Sequence, residues 1–70
     1  MYKVMAYDME KEEWKEVSGK MEWEDALKFA RNISLENGTH NIELCEYDEE
    51  DDDIMDRILL EEVEYYLKKI

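Results

Sequence analysis

Apolar and polar positions along the chain fall into two kinds of pattern. Over Tyr2 to Asp8 they alternate, with Val4 and Ala6 on one side and Met5 and Tyr7 on the other, as a strand requires. A polar stretch, Met9 to Glu13, leads to a second β-like segment around Trp14 to Val17, and Ser18 and Gly19 close it. These segments predict a hairpin. From Glu22 to about Asn37 the period changes: Trp23, Ala26, Leu27, Ala30 and Ile33 recur at helical steps, and Phe29 widens the stripe. Glu22, Glu24 and Asp25 suit the positive end of that helix, and Asn37-Gly38 supplies its exit.

Alternation returns over Asn41 to Tyr47, where Ile42 and Leu44 face one way and Glu43, Cys45 and Tyr47 the other. The remaining segment reads as a helix from about Ile54 to the C-terminus, with Asp53 as its N-cap and Asp56 in the capping-box position. Met55, Leu59, Val63, Tyr66 and Ile70 form its core stripe, with Ile54, Ile58 and Tyr65 along one edge and Leu60 and Leu67 along the other. Together these residues cover roughly two thirds of the helix circumference. Either the rest of a small fold wraps this helix deeply, or one edge is left for a partner. The expected architecture is α+β, a ββαβα domain. A right-handed crossover places the third strand beside the first, giving a three-stranded antiparallel sheet in order 2-1-3 with both helices on one face.

At 70 residues the chain is one domain spanning 1–70, near the size at which a single core is only just sufficient. Its 44% apolar content, two Trp, five Tyr and no Pro belong to a folding chain rather than a disordered one. The single cysteine, Cys45, permits no intramolecular disulfide, so packing or association must stabilise the fold. Without a leader pattern, or any run near the ~20 apolar residues of a membrane span, a cytoplasmic location is expected. On that expectation the glycosylation-like triplets at Asn32 and Asn37 are coincidental.

The net charge of −12 is unevenly distributed. Residues 1–35 hold eight acidic and six basic side chains, and residues 36–70 hold thirteen and three. A local field of that sign repels nucleic acid and anionic membrane and attracts basic surfaces, so direct binding to nucleic acid or lipid is not expected. Its source is the segment Glu46-Tyr47-Asp48-Glu49-Glu50-Asp51-Asp52-Asp53, seven of whose eight residues are acidic, with Glu43 and Asp56 extending it. Neighbouring carboxylates repel one another, which points to a partner; a solvated loop leading into a helix N-terminus accounts for the same run without one. A calcium loop starting at Asp48 puts oxygen ligands at Glu50 and Asp52 but has Asp53 where the turn glycine belongs and Leu59 at the bidentate position. No metal or cofactor is therefore expected.

Catalysis has little support in the sequence. His40, the one imidazole, lies in a polar loop away from Cys45, and phosphate-binding glycine loops and zinc motifs are absent. Trp23 belongs to the core stripe, which leaves Trp14 as the aromatic candidate for the surface. In composition the chain looks like the small acidic phage and mobile-element inhibitors, including DNA mimics and some anti-CRISPR proteins. That likeness implies a protein partner with a basic, nucleic-acid-binding surface. On this expectation Glu43, Glu46, Asp48, Glu49, Glu50, Asp51, Asp52, Asp53 and Asp56 stand in for phosphates, and Tyr47 stacks on an arginine. The competing expectation is an adaptor or homodimer that binds through Ile54, Ile58 and Tyr65, with the charge serving solubility.

Overall fold

In a computed structural model, which describes residues 1–38, 41–50 and 53–68, six elements follow one another. They are β1 (Tyr2–Asp8), β2 (Glu13–Glu16), α1 (Trp23–Asn37), β3 (Ile42–Tyr47), β4 (Ile54–Leu59) and α2 (Leu60–Lys68). The strands form one antiparallel sheet in the order β2-β1-β3-β4. No helix among the described residues is long and apolar enough to cross a membrane.

The first hairpin turns on Asp8, whose Oδ1 accepts the Glu10 and Lys11 amides at 3.0 and 3.3 Å. Glu12 takes the left-handed conformation, φ 54°, that closes the turn. Past β2 the chain keeps following β1. The Val17 amide donates to the Val4 carbonyl, and Tyr2 and Met21 exchange both backbone bonds. Between them Ser18 Oγ accepts the Val4 amide at 2.9 Å, replacing a missing carbonyl. The outer side of β1 is thus satisfied although β2 has only four residues.

The β1–β3 register sets Val4 beside Leu44 and Ala6 beside Ile42. Onto that surface α1 lays Ala26 and Ala30, both fully buried, whose small side chains let the helix approach closely. Leu60 and Val63 of α2 complete the same cluster, so both helices cover one face of the sheet, as expected. Arg31 of α1 forms an ion pair through two nitrogens with Glu64 of α2, joining the helices at the surface. The described residues measure 36 × 32 × 16 Å along their principal axes.

The sequence expectation is corrected at one segment. Residues 54–59 are a fourth strand, not the first turns of a helix, and the order of elements is ββαββα. Asp53 therefore caps no helix: its carbonyl accepts the Asp48 amide at 2.9 Å and closes the β3–β4 turn. Asp56 is no capping-box residue but lies in β4 opposite Glu46. The over-wide apolar band was two elements read as one. Ile54 and Leu59 face the uncovered side of the sheet, Ile58 faces the helices, and Leu60 starts a new periodicity. Of the expected core stripe, Val63 is buried and Leu59 half-buried, whereas Met55 and Tyr66 are exposed; Ile70 lies outside the described residues. Leu60, expected at the flank, is fully buried.

Two outcomes follow for stability. Leu60→Ala should destabilise by about 2–5 kcal/mol while Tyr66→Ala stays within about 0.5 kcal/mol, a contrast that urea melts resolve; the reverse order would mean the wrong face of α2 is inward. Ser18→Ala, which strands the amide of fully buried Val4, should lose about 1–3 kcal/mol in the same assay.

Candidate functional site

The acidic residues are carried on the β3–β4 hairpin. Its turn is built by its own carboxylates and backbone: Asp48 Oδ1 accepts the Glu50 amide at 2.9 Å, and the Asp48 amide reaches the Asp53 carbonyl. Glu49, Glu50 and Asp53 are exposed, Asp48 is half-buried, and Asp51 and Asp52 lie outside the described residues. Below the turn, Glu46 and Asp56 sit directly opposite each other on the helix side of the sheet. Like charges so placed destabilise a strand pair. Three cationic side chains pair with other carboxylates: Lys3 with Glu16, Lys15 with Asp8, and Arg31 with Glu64. The described hairpin carboxylates take part in none of these pairs.

Tyr2 records the field of the Glu46–Asp56 pair. Its hydroxyl donates to Glu46 Oε2 at 3.4 Å. Burial first, then the Glu46 charge and that hydrogen bond, then Asp56, raise the phenol above its ordinary value of 10.0.

Two expected members stand apart from the hairpin's acidic surface. Glu43 lies mid-strand on the uncovered side, between Met5 and Leu59. Its Oε1 is screened from solvent and takes no hydrogen bond among the described residues. Tyr47 also faces the uncovered side, and its ring already carries Lys3 Nζ at 4.8 Å and Lys20 Nζ at 5.9 Å. A partner's arginine would have to compete with both. On the same side the Tyr7 and Trp14 rings meet edge to face at 5.4 Å, so the exposed anchor expected of Trp14 is a half-buried cross-strand pair.

Cys45 sits at the centre of that side, only 1% exposed, with Lys3 and Arg57 as cross-strand neighbours. Burial, then the Glu43 charge, raise its thiol, and Arg57 offsets part of the rise. It is a packed residue, not an activated nucleophile. His40 lies outside the described residues. Among the described residues no cluster of three or more His, Cys, Asp or Glu could hold a metal ion.

The apolar set Ile54, Ile58 and Tyr65 does not share a helix edge. Ile54 and Ile58 belong to β4, where Ile58 packs on the core, and Tyr65 belongs to α2. The exposed apolar residues that do occur on these two elements are Ile54, Met55, Tyr65, Tyr66 and Leu67. Sequence reasoning missed the outer edge of β4 with Arg57; the signal was the pair of β-branched residues Ile54 and Ile58 directly after a turn-forming acidic stretch. No protein-family model matches the chain, and comparison with curated proteins and with solved structures gives no significant match.

The raised Tyr2 phenol has a pH consequence. A group that holds its proton more tightly when folded contributes stability below its unfolded pKa and loses it as pH rises through the folded value. Stability should therefore fall as pH rises above the ordinary phenol value of 10.0, with Cys45 adding to the loss above its ordinary value of 9.0. Glu46→Gln should shrink the fall, because it removes the Glu46 charge, the second cause of the Tyr2 shift, while keeping an acceptor for the hydroxyl. Alkaline denaturation curves identical in wild type and variant would separate Tyr2 from Glu46.

Proposed function

We propose that the protein is a small acidic binding module whose β3–β4 hairpin masks a basic, nucleic-acid-binding surface of a protein partner, acting by occupancy rather than by catalysis. One observation carries this reading: Glu46, Asp48, Glu49, Glu50, Asp53 and Asp56 are gathered on a single hairpin, and none of them is in an ion pair with a described lysine or arginine. Among the described residues the fold sets these repulsive charges together without an ion pair between them and a lysine or arginine. A track of lysines and arginines built for phosphates supplies what is missing, since duplex DNA presents one charge per ~1.7 Å of axis. Phage and mobile-element inhibitors of the DNA-mimic kind, anti-CRISPR proteins among them, are the class this reading suggests, and the cytoplasm of a host cell is where such a partner would be met.

The second reading is association through the apolar surface of β4 and α2. It is favoured by the exposure of Met55 at 64% and Tyr66 at 66%. A salt-insensitive homodimer would support it; a salt-sensitive complex with a basic protein supports the first.

Affinity capture from the source cell identifies the partner, and the hairpin is then tested directly. Changing Asp48, Glu49, Glu50 and Asp53 to their amides keeps the Asp48 acceptor and the turn. The fold should persist, association with the captured protein should slow by about tenfold or more, and the residual affinity should depend less on salt. Unchanged association at physiological salt would sink the masking function.

A further inference from the structure

Among the described residues β4 is the outermost strand on its side of the sheet and pairs only with β3. Its residues Ile54 to Arg57 are all exposed, so neither helix covers this edge. The opposite edge is β2, shorter at four residues and flanked by the Lys15–Asp8 pair. An uncovered edge six residues long is a template for another strand unless something blunts it. Here the blunting element is visible: Asp56 Oδ1 accepts the amide of the next residue, Arg57, at 2.8 Å. The edge is guarded by a carboxylate that already faces Glu46.

A carboxylate guard is released by a cation. A lysine or arginine arriving opposite Asp56 would draw its carboxylate away, free the Arg57 amide for an incoming carbonyl, and relieve the Glu46–Asp56 repulsion. An acidic strand would do none of these. A second copy of this chain fits poorly as well. With the helices of both copies on the same side, the two registers that overlap β4 most fully set Asp56 against Asp56 or Arg57 against Arg57.

We propose that the β4 edge accepts an extended segment of the partner as a fifth strand, with a lysine or arginine of that segment opposite Asp56. The proposal rests on the masking function above and supplies its binding mode. Main-chain bonds to β4 give affinity, and the Asp56 guard restricts entry to basic segments. The incoming strand alternates, with its basic positions on the helix side beside Asp56 and its apolar or acidic positions beside Arg57.

The test uses the acetylated, amidated peptide Lys-Val-Lys-Val-Lys-Val with the whole protein, followed by residue-resolved amide exchange. Exchange at the Arg57 amide should slow by at least about tenfold on saturation. Methylating the valine amides of the peptide, or replacing its lysines with glutamate, should weaken binding by at least about tenfold. Asp56→Asn, which keeps an acceptor for the Arg57 amide but not the charge, should weaken it similarly. Protection confined to the hairpin turn, or equal binding by the methylated peptide, would overturn strand addition while leaving masking intact. Equal binding by the glutamate peptide would overturn the requirement for a cation, and absence of binding to wild type at physiological salt would overturn the proposal itself. Masking fails separately, in the experiment with the amide variant and the captured partner.

Discussion

The register of β3 is the constraint on which the rest of the molecule depends. Both β1 and β4 pair with this strand, and its Ile42 and Leu44 form the floor onto which α1 and α2 dock. A slip of one residue would turn Ile42 and Leu44 outward and bring Glu43 and Cys45 beneath the helices. The fully buried side chains are few, and the largest of them are Ile42, Leu44, Leu60, Val4 and Cys45. So small a core leaves little reserve for charge repulsion elsewhere.

Against that background the distribution of charge is informative. The pairs Lys3–Glu16, Lys15–Asp8 and Arg31–Glu64 lie in or between β1, β2 and the helices, where each joins neighbouring elements. The β3–β4 hairpin has no such pair among its described residues and sets Glu46 against Asp56 at its base. Exposed ion pairs of this kind contribute only about 0–1 kcal/mol each, so the fold depends little on them. The same carboxylate that repels Glu46 also covers the Arg57 amide, so a single residue, Asp56, lies in both the acidic surface and the exposed sheet edge.

The uncovered side of the sheet is not a bare apolar surface. Tyr7 packs on Trp14, Lys3 and Lys20 lie over Tyr47, and Cys45 is hidden beneath a single layer of side chains. The long stems of the lysines shield apolar surface while their charges stay in water. This side can therefore remain without a helix.

Much of the fold was legible because its signals are local. The alternation in Tyr2–Asp8 and in Ile42–Tyr47, and the helical spacing from Trp23 to Ile33, each depend on residues a few positions apart. The crossover rule then sufficed to place β3 beside β1. The acidic character of the hairpin was equally plain, since charge needs no fold to be counted. Tertiary structure alone decided the fate of residues 54–59, whose apolar spacing suits a helix as well as a strand. Pairing with β3 through Leu44–Ile58 and Glu43–Leu59 made that segment a strand, and a contact so distant from the local pattern leaves no periodic trace. That Glu43 and Tyr47 face away from Ile42 and Leu44 was already legible in the alternation of β3; pairing decided that Glu46 and Asp56 share the other side. The sequence determined which residues are charged and which are apolar; pairing determined which of them share a surface.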